Sequence, residues 1–203
     1  MATHQDASAA KSRSGRPQIT SRDHLEKVAF RLFAESGFDA TTIDGISDAA
    51  GIGRRTFFRY FASKNDLVWG DFDGELAVFR AWFAAVPADR PMLDAIRHGV
   101  IAFNTYPAAQ VALHRERMAL ILRVPSLRAD STLRFVQWRQ VIADFVAARR
   151  GGRPDELYPV TIGHCALGAA LAAYEVWLED ETADLPALLA ESLRVLTGPH
   201  HHA

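Results

Sequence analysis

The chain holds a single cysteine, Cys165, among 203 residues. That excludes an intramolecular disulfide framework and any cysteine-rich metal site, and it suits a reducing cytoplasm. G-x-S-x-G elbows, H-E-x-x-H pairs, P-loops and glycine-rich dinucleotide turns are all missing from the sequence. The common signatures of hydrolases, zinc proteases and nucleotide-dependent enzymes are therefore absent. No catalytic residue, metal ligand or cofactor is expected. Sustained apolar/polar alternation bounded by turn dipeptides is lacking as well, and with it any reason to expect a sheet. The N-terminus carries no apolar core of a signal peptide. The most apolar stretch, Pro159 to Leu178, is interrupted by His164 and Glu175, so it is expected to be a buried helix of a soluble protein and not a membrane span.

What is present is ordinary globular composition with an uneven charge pattern. The formal net charge is −1. Yet from Ala7 to Arg22 the only charges are Lys11, Arg13, Arg16 and Arg22, and from Ala49 to Asn65 they are Arg54, Arg55, Arg59 and Lys64. Basic windows inside a slightly acidic chain are a nucleic-acid footprint.

Residues 1–18 read as a flexible basic arm. A helix opens at Thr20 or Ser21, with Asp23 in its first turn, and carries Leu25, Val28, Ala29, Leu32 and Phe33 at helical spacing before Gly37. Thr42 caps a second helix that ends at Gly51, and Arg54 starts a third. Ser63 with Asp66 forms a capping box that opens a longer helix through about Phe83. Glycine-punctuated short helices followed by a long one are the pattern of a helix-turn-helix with its scaffold. Helical periodicity recurs over 92–106, 108–123, 127–150, 155–179 and 185–197. The expected fold is all-α, with about nine helices: a helix-turn-helix domain over 19–66, an effector-binding and dimerisation domain over 67–198, and a tail over 199–203. The histidines at 200–202 receive no role.

The segment Gly53 to Phe61 meets the demands of a recognition helix. Its first turn offers Arg54, Arg55 and Thr56, and Arg59 follows Arg55 by one helical turn. These are the candidates for reading base edges, because arginine pairs bidentately with guanine O6 and N7 in the major groove. Phe57 and Phe61 share the opposite face and should hold the helix on its neighbours. Thr42, Tyr60 and Lys64 suit phosphates: a helix start, a phenolic hydroxyl and an ammonium.

The run Ala29…Leu32-Phe33…Gly37-Phe38…Thr41-Thr42-Ile43…Ile46…Ala50-Gly51-Ile52…Thr56-Phe57-Phe58…Tyr60-Phe61…Ser63-Lys64…Asp66-Leu67 resembles the N-terminal domain of TetR-family regulators. Gly51 to Phe61 with Trp69-Gly70-Asp71-Phe72-Asp73 is similar to the mycofactocin-system branch, as are Phe103-Asn104, His114 to Met118, Trp138-Arg139 and Ala173 to Leu178. The resemblance implies a homodimer bound to a double-stranded operator, with Thr42, Tyr60 and Lys64 on phosphates. Gly53 and Phe58 depart from it, standing where Ser and Tyr are frequent and removing two hydroxyl contacts.

For dimerisation, the small residues Gly168 and Ala172, with Leu189, Leu193 and Leu196 of the last helix, are the expected face. For sensing, polar residues within apolar helices are informative. Arg117 and Arg139 are candidate anchors for an anionic headgroup, with Phe103, Met118 and Trp138 around the tail, which suits a small hydrophobic or acyl-coenzyme A effector. The expected function is a cytoplasmic, ligand-responsive repressor. The alternatives are a sequence-independent architectural DNA binder and, further off, an all-helical enzyme.

Overall fold

The computed structural model describes residues 21–196; the basic arm and the tail lie outside the described residues. Within that range the chain is all-helical, with ten α-helices, a closing 3-10 turn and no strand. Helix α1 (Arg22–Ser36) starts where Ser21 Oγ accepts from the His24 N–H at 3.1 Å. It buries Leu25, Val28, Ala29, Phe30 and Phe33 on one face. Thr42 caps α2 (Ile43–Ala49) by accepting from Gly45 N–H at 3.0 Å. The turn to α3 (Arg54–Tyr60) passes through Gly51 at φ +66°, a left-handed conformation that glycine adopts without steric cost.

The long helix expected from Ser63 to Phe83 is two helices. Ser63 does form the expected box, accepting from Asp66 N–H at 3.0 Å and donating to its carboxylate at 2.8 Å. However, α4 (Lys64–Trp69) stops at Gly70, where φ is +64°, and α5 (Phe72–Ala84) begins afresh. This break gives ten helices where the sequence suggests nine. The remaining elements are α6 (Met92–Phe103), α7 (Ala108–Arg123), α8 (Pro125–Arg150), α9 (Leu157–Glu179), α10 (Leu185–Ser192) and the 3-10 turn Leu193–Leu196.

One hydrophobic core runs from Leu25 to Leu193. It crosses the boundary expected between residues 66 and 67 through Leu67, Val68, Trp69 and Phe72. The two regions are thus packed as one body. Helix α9 lies at the centre of the second region, packed against α8 and α10. It is long and apolar enough to span a membrane, and its inward residues Ile162, Ala166, Ala170, Ala173 and Trp177 are buried here by protein. Arginines of α7 close its C-terminal end. Arg115 donates to the Trp177 and Asp180 carbonyls and lies over the Trp177 ring at 3.9 Å, while Arg123 reaches the Leu178 carbonyl and Glu179. Cations at that end also complement the helix dipole.

The face expected for dimerisation is divided by the structure. Gly168 and Ala172 are exposed on α9, in a stripe with Cys165 and Val176. Leu189 and Leu193 are fully buried within the subunit, where α10 packs on α6 and α9. Leu196 is half-buried. Leu189 and Leu193 thus belong to the subunit's own core, while Leu196 keeps part of its surface.

Candidate nucleic-acid interface and effector cavity

Helix α3 is held from behind. Phe57 is completely buried and Phe61 nearly so, with their rings 5.8 Å apart. The opposite side faces outward: Arg54, Arg55 and Arg59 are exposed and Thr56 is half-buried. Their commitments differ. Arg54 pairs with Asp44 of α2 at 2.7 Å and lies 5.4 Å from the Phe58 ring, which ties the start of α3 to α2. Arg59 lies against Tyr60, donating to its hydroxyl at 3.3 Å. Arg55 makes no hydrogen bond or ion pair among the described residues and projects its guanidinium into solvent.

Lys64 is placed differently from a simple surface phosphate ligand. Its ammonium donates to the carbonyls of Phe38 (2.6 Å) and Thr41 (2.8 Å) and sits 4.1 Å from the Phe38 ring centre. Burial lowers its pKa, with Asp39 acting in the other direction. Two of its three N–H groups brace the α1–α2 connection to α4. Thr42 is exposed and already engaged as a cap.

A cavity of about 70 Å³ lies between α4–α5, α6, α7, α8 and α9. Four of the five expected effector residues line it: Phe103, Arg117, Met118 and Trp138. Arg139 does not. One residue on from Trp138, its side chain turns outward and meets His164 of α9 at 3.5 Å. Arg117 is also committed. It donates to Glu26 of α1 at 2.7 Å and to the Val68 carbonyl of α4, and stands 5.2 Å from the Phe30 ring. The expected headgroup anchor is therefore a cross-brace from the cavity wall to the DNA-binding unit. Arg134 of α8 makes a parallel link, to Asp66 of α4 at 2.6 Å.

The cavity's polar wall was only partly legible in sequence. Asn104 donates to the Val100 carbonyl at 2.7 Å, Tyr174 donates to Asn104 Oδ1 at 2.7 Å, and His114 Nε2 lies 2.6 Å from the Tyr174 oxygen. Because the tyrosine proton goes to Asn104, the network assigns the histidine proton to Nε2. Tyr106, from the α6–α7 connection, stacks on His114 with centroids 3.9 Å apart. Tyr106, His114 and Asn104 also border an open cleft of about 660 Å³ beside α9–α10, so this stack separates cavity from cleft. Glu75 of α5 lines the cavity, and burial raises its carboxyl pKa, partly offset by Arg117.

Burial, then the Arg117 charge, push the His114 pKa down to about 3. Histidine is neutral in the fold but protonates near pH 6.5 once unfolded. The stability it allows is complete above pH 6.5 and declines as pH falls toward 3. Between pH 7 and 5 the chain should lose about 2 kcal/mol from this group. His114→Gln, which keeps a donor for Tyr174, should flatten that portion of the curve in urea titrations at each pH. An unchanged slope would remove His114 as the cause.

An all-helical chain with a solvent-facing arginine helix after a tight turn, set on a body holding a polar-edged cavity, defines a helix-turn-helix regulator. The comparisons agree. Residues 26–68 match the family described as bacterial regulatory proteins, tetR family, and residues 90–201 match the MftR C-terminal domain. The chain belongs to the TetR family of transcriptional regulators, in the branch that carries this C-terminal domain. It is 43% identical over 185 residues, 91% of this chain and 93% of the other, to a Mycobacterium tuberculosis protein named for mycofactocin biosynthesis regulation, MftR. The regulator TcmR of Streptomyces glaucescens is 31% identical over 64% of this chain and 60% of its own. Among solved structures, Thermus thermophilus FadR in complex with lauroyl-CoA superposes with a TM-score of 0.57 at 22% identity, over 87% of this chain and 93% of that one. Bacillus subtilis FadR with stearoyl-CoA gives 0.60 at 18% identity, over 89% and 100%. These two likenesses concern the fold.

Proposed function

We propose that the protein is a cytoplasmic repressor that binds a palindromic operator as a homodimer and leaves it when a small hydrophobic or acyl-CoA-like effector enters the cavity. The observation that carries the reading is α3: an arginine with no internal partner, Arg55, on a helix whose back is pinned by a fully buried phenylalanine. Arg55 is assigned to base edges together with Arg54, Thr56 and Arg59. Thr42, Tyr60 and the remaining N–H of Lys64 are assigned to phosphates. The exposed α9 stripe through Gly168, Ala172 and Val176 is the assigned subunit contact, since small residues let a second helix approach closely. Two half-sites one helical turn apart, about 34–36 Å, follow from such a pair.

An effector acts by differential affinity for the two recognition-helix spacings, and lowers operator affinity by that same ratio. The cavity supports this reading because its wall reaches α1 and α4 through Arg117. The acyl-CoA-bound FadR structures favour the acyl-CoA class. Selection of bound duplexes from a random pool tests the reading, and an inverted repeat is the expected product. Arg55→Ala should then lose about 1–3 kcal/mol of preference at one base position per half-site, read by anisotropy titration at fixed salt. A uniform loss across all duplexes would instead support the architectural alternative.

A further inference from the structure

Trp69 is the last residue of α4 and lines the effector cavity. Its side chain is more than nine-tenths buried, and its indole N–H finds no hydrogen-bond partner. Buried donors are almost always satisfied, and one that is not needs a reason. The indole is held in place on several sides: Phe72 and Phe135 meet its edge at 5.2 and 6.0 Å, and the Arg134 guanidinium lies 4.8 Å from its centre. Three other polar groups of the wall are engaged with one another, Tyr174 with Asn104 and His114, and Asn104 with the Val100 carbonyl. An orphan donor in an aromatic cavity whose polar chain is already closed calls for an acceptor from outside the chain.

Taking the cavity as the effector site proposed above, we infer that the effector carries a neutral carbonyl-type oxygen, which accepts from Trp69 Nε1–H while its apolar portion lies against Phe103 and Trp138. Neutrality follows from the charges present. The Arg117 charge is already answered by Glu26, and the cavity lining holds no other arginine or lysine that a carboxylate headgroup could meet. A thioester and a free ketone share this chemistry. Either one would bond to the terminal residue of a helix of the DNA-binding unit, three positions after Asp66, which Arg134 grips at 2.6 Å.

The test uses the full-length chain and four probes: hexanoyl-CoA, S-hexyl-CoA (the same molecule with methylene in place of carbonyl), 2-octanone and hexanoate. Calorimetry should give hexanoyl-CoA about a tenfold advantage over S-hexyl-CoA, the effect of one added hydrogen bond. In Trp69→Phe, which keeps the ring and loses the N–H, that advantage should fall below about threefold. On the parent chain, the Trp69 indole proton resonance should move downfield with carbonyl probes and not with S-hexyl-CoA. A shift with hexanoyl-CoA identifies a thioester source. A shift with 2-octanone alone supports the Trp69 assignment while removing acyl-CoA as the effector class. Equal affinity for the carbonyl and methylene probes, an equal loss of both in Trp69→Phe, or tightest binding of hexanoate overturns the inference. So does the failure of every carbonyl probe to move the resonance. Operator binding measured alongside shows separately whether the regulator reading stands.

Discussion

Phe57→Ala should destabilise the chain by about 3–5 kcal/mol, the usual cost of emptying a fully buried phenylalanine site. In a chain of this length that corresponds to a fall in Tm of roughly 10 °C or more. The size of the effect comes from where the ring sits. Phe57 is completely buried, touching Phe58 and Phe61 at 5.5 and 5.8 Å, and it is the only residue of α3 that is buried. Seven residues do not hold a helix in water by themselves. Removing this anchor should therefore loosen α3 before the rest of the body. Operator affinity should fall by more than it does in Arg55→Ala, even at temperatures where circular dichroism still reports a folded chain. A variant that melts within about 1 kcal/mol of the parent would show that α3 is held by something other than Phe57.

Arg117→Met should cost about 3 kcal/mol, at the low end of the range for deleting one partner of a buried ion pair. The side chains of Arg117 and Glu26 are 16% and 13% exposed, so the pair is mostly dry. The loss is held to the lower end because Arg22 stays 3.7 Å from Glu26 and keeps part of its compensation. Adding Glu26→Gln should recover part of the stability, a non-additivity measurable as a double-mutant cycle in urea. The second consequence concerns regulation. Arg117 lines the cavity and reaches both α1 and α4, so the variant should bind operator but respond less to effector. Intact response in a variant that has lost the expected stability would separate the brace from signal transmission.

Much of the DNA-binding unit was legible because its signals are local. Caps at Ser21, Thr42 and Ser63 satisfy backbone groups within three residues, and Gly37 and Gly51 sit at positive φ where a helix must end. The α4–α5 break was not legible. Apolar periodicity resumes after Gly70-Asp71 almost in phase, so pattern alone joins the two helices. The cavity residues divide the same way. Phe103, Arg117 and Trp138 stand out as rings and a charge within apolar stretches, and Met118 directly follows Arg117. Trp69 and Glu75 belong to elements that read as scaffold, and Tyr106 belongs to a connection. Arg139 failed because one residue is about 100° around a helix, enough to move a side chain from cavity to surface. Leu189 and Leu193 failed for a different reason: an apolar stripe specifies burial without saying whether the cover is the same chain or another.

Gly70 has a consequence for anyone redesigning the response. A methyl group built there would lie 2.8 Å from Arg117 Nη1, on a backbone at φ +64° that side chains rarely adopt. Its carbonyl is meanwhile gripped by Arg22 at 2.8 Å. Bend and guanidinium therefore occupy one shared space, so stiffening the joint by substitution would evict the very side chain that ties cavity to α1. Variation aimed at ligand preference is better placed at Tyr106, which borders both cavity and cleft from the connection between α6 and α7.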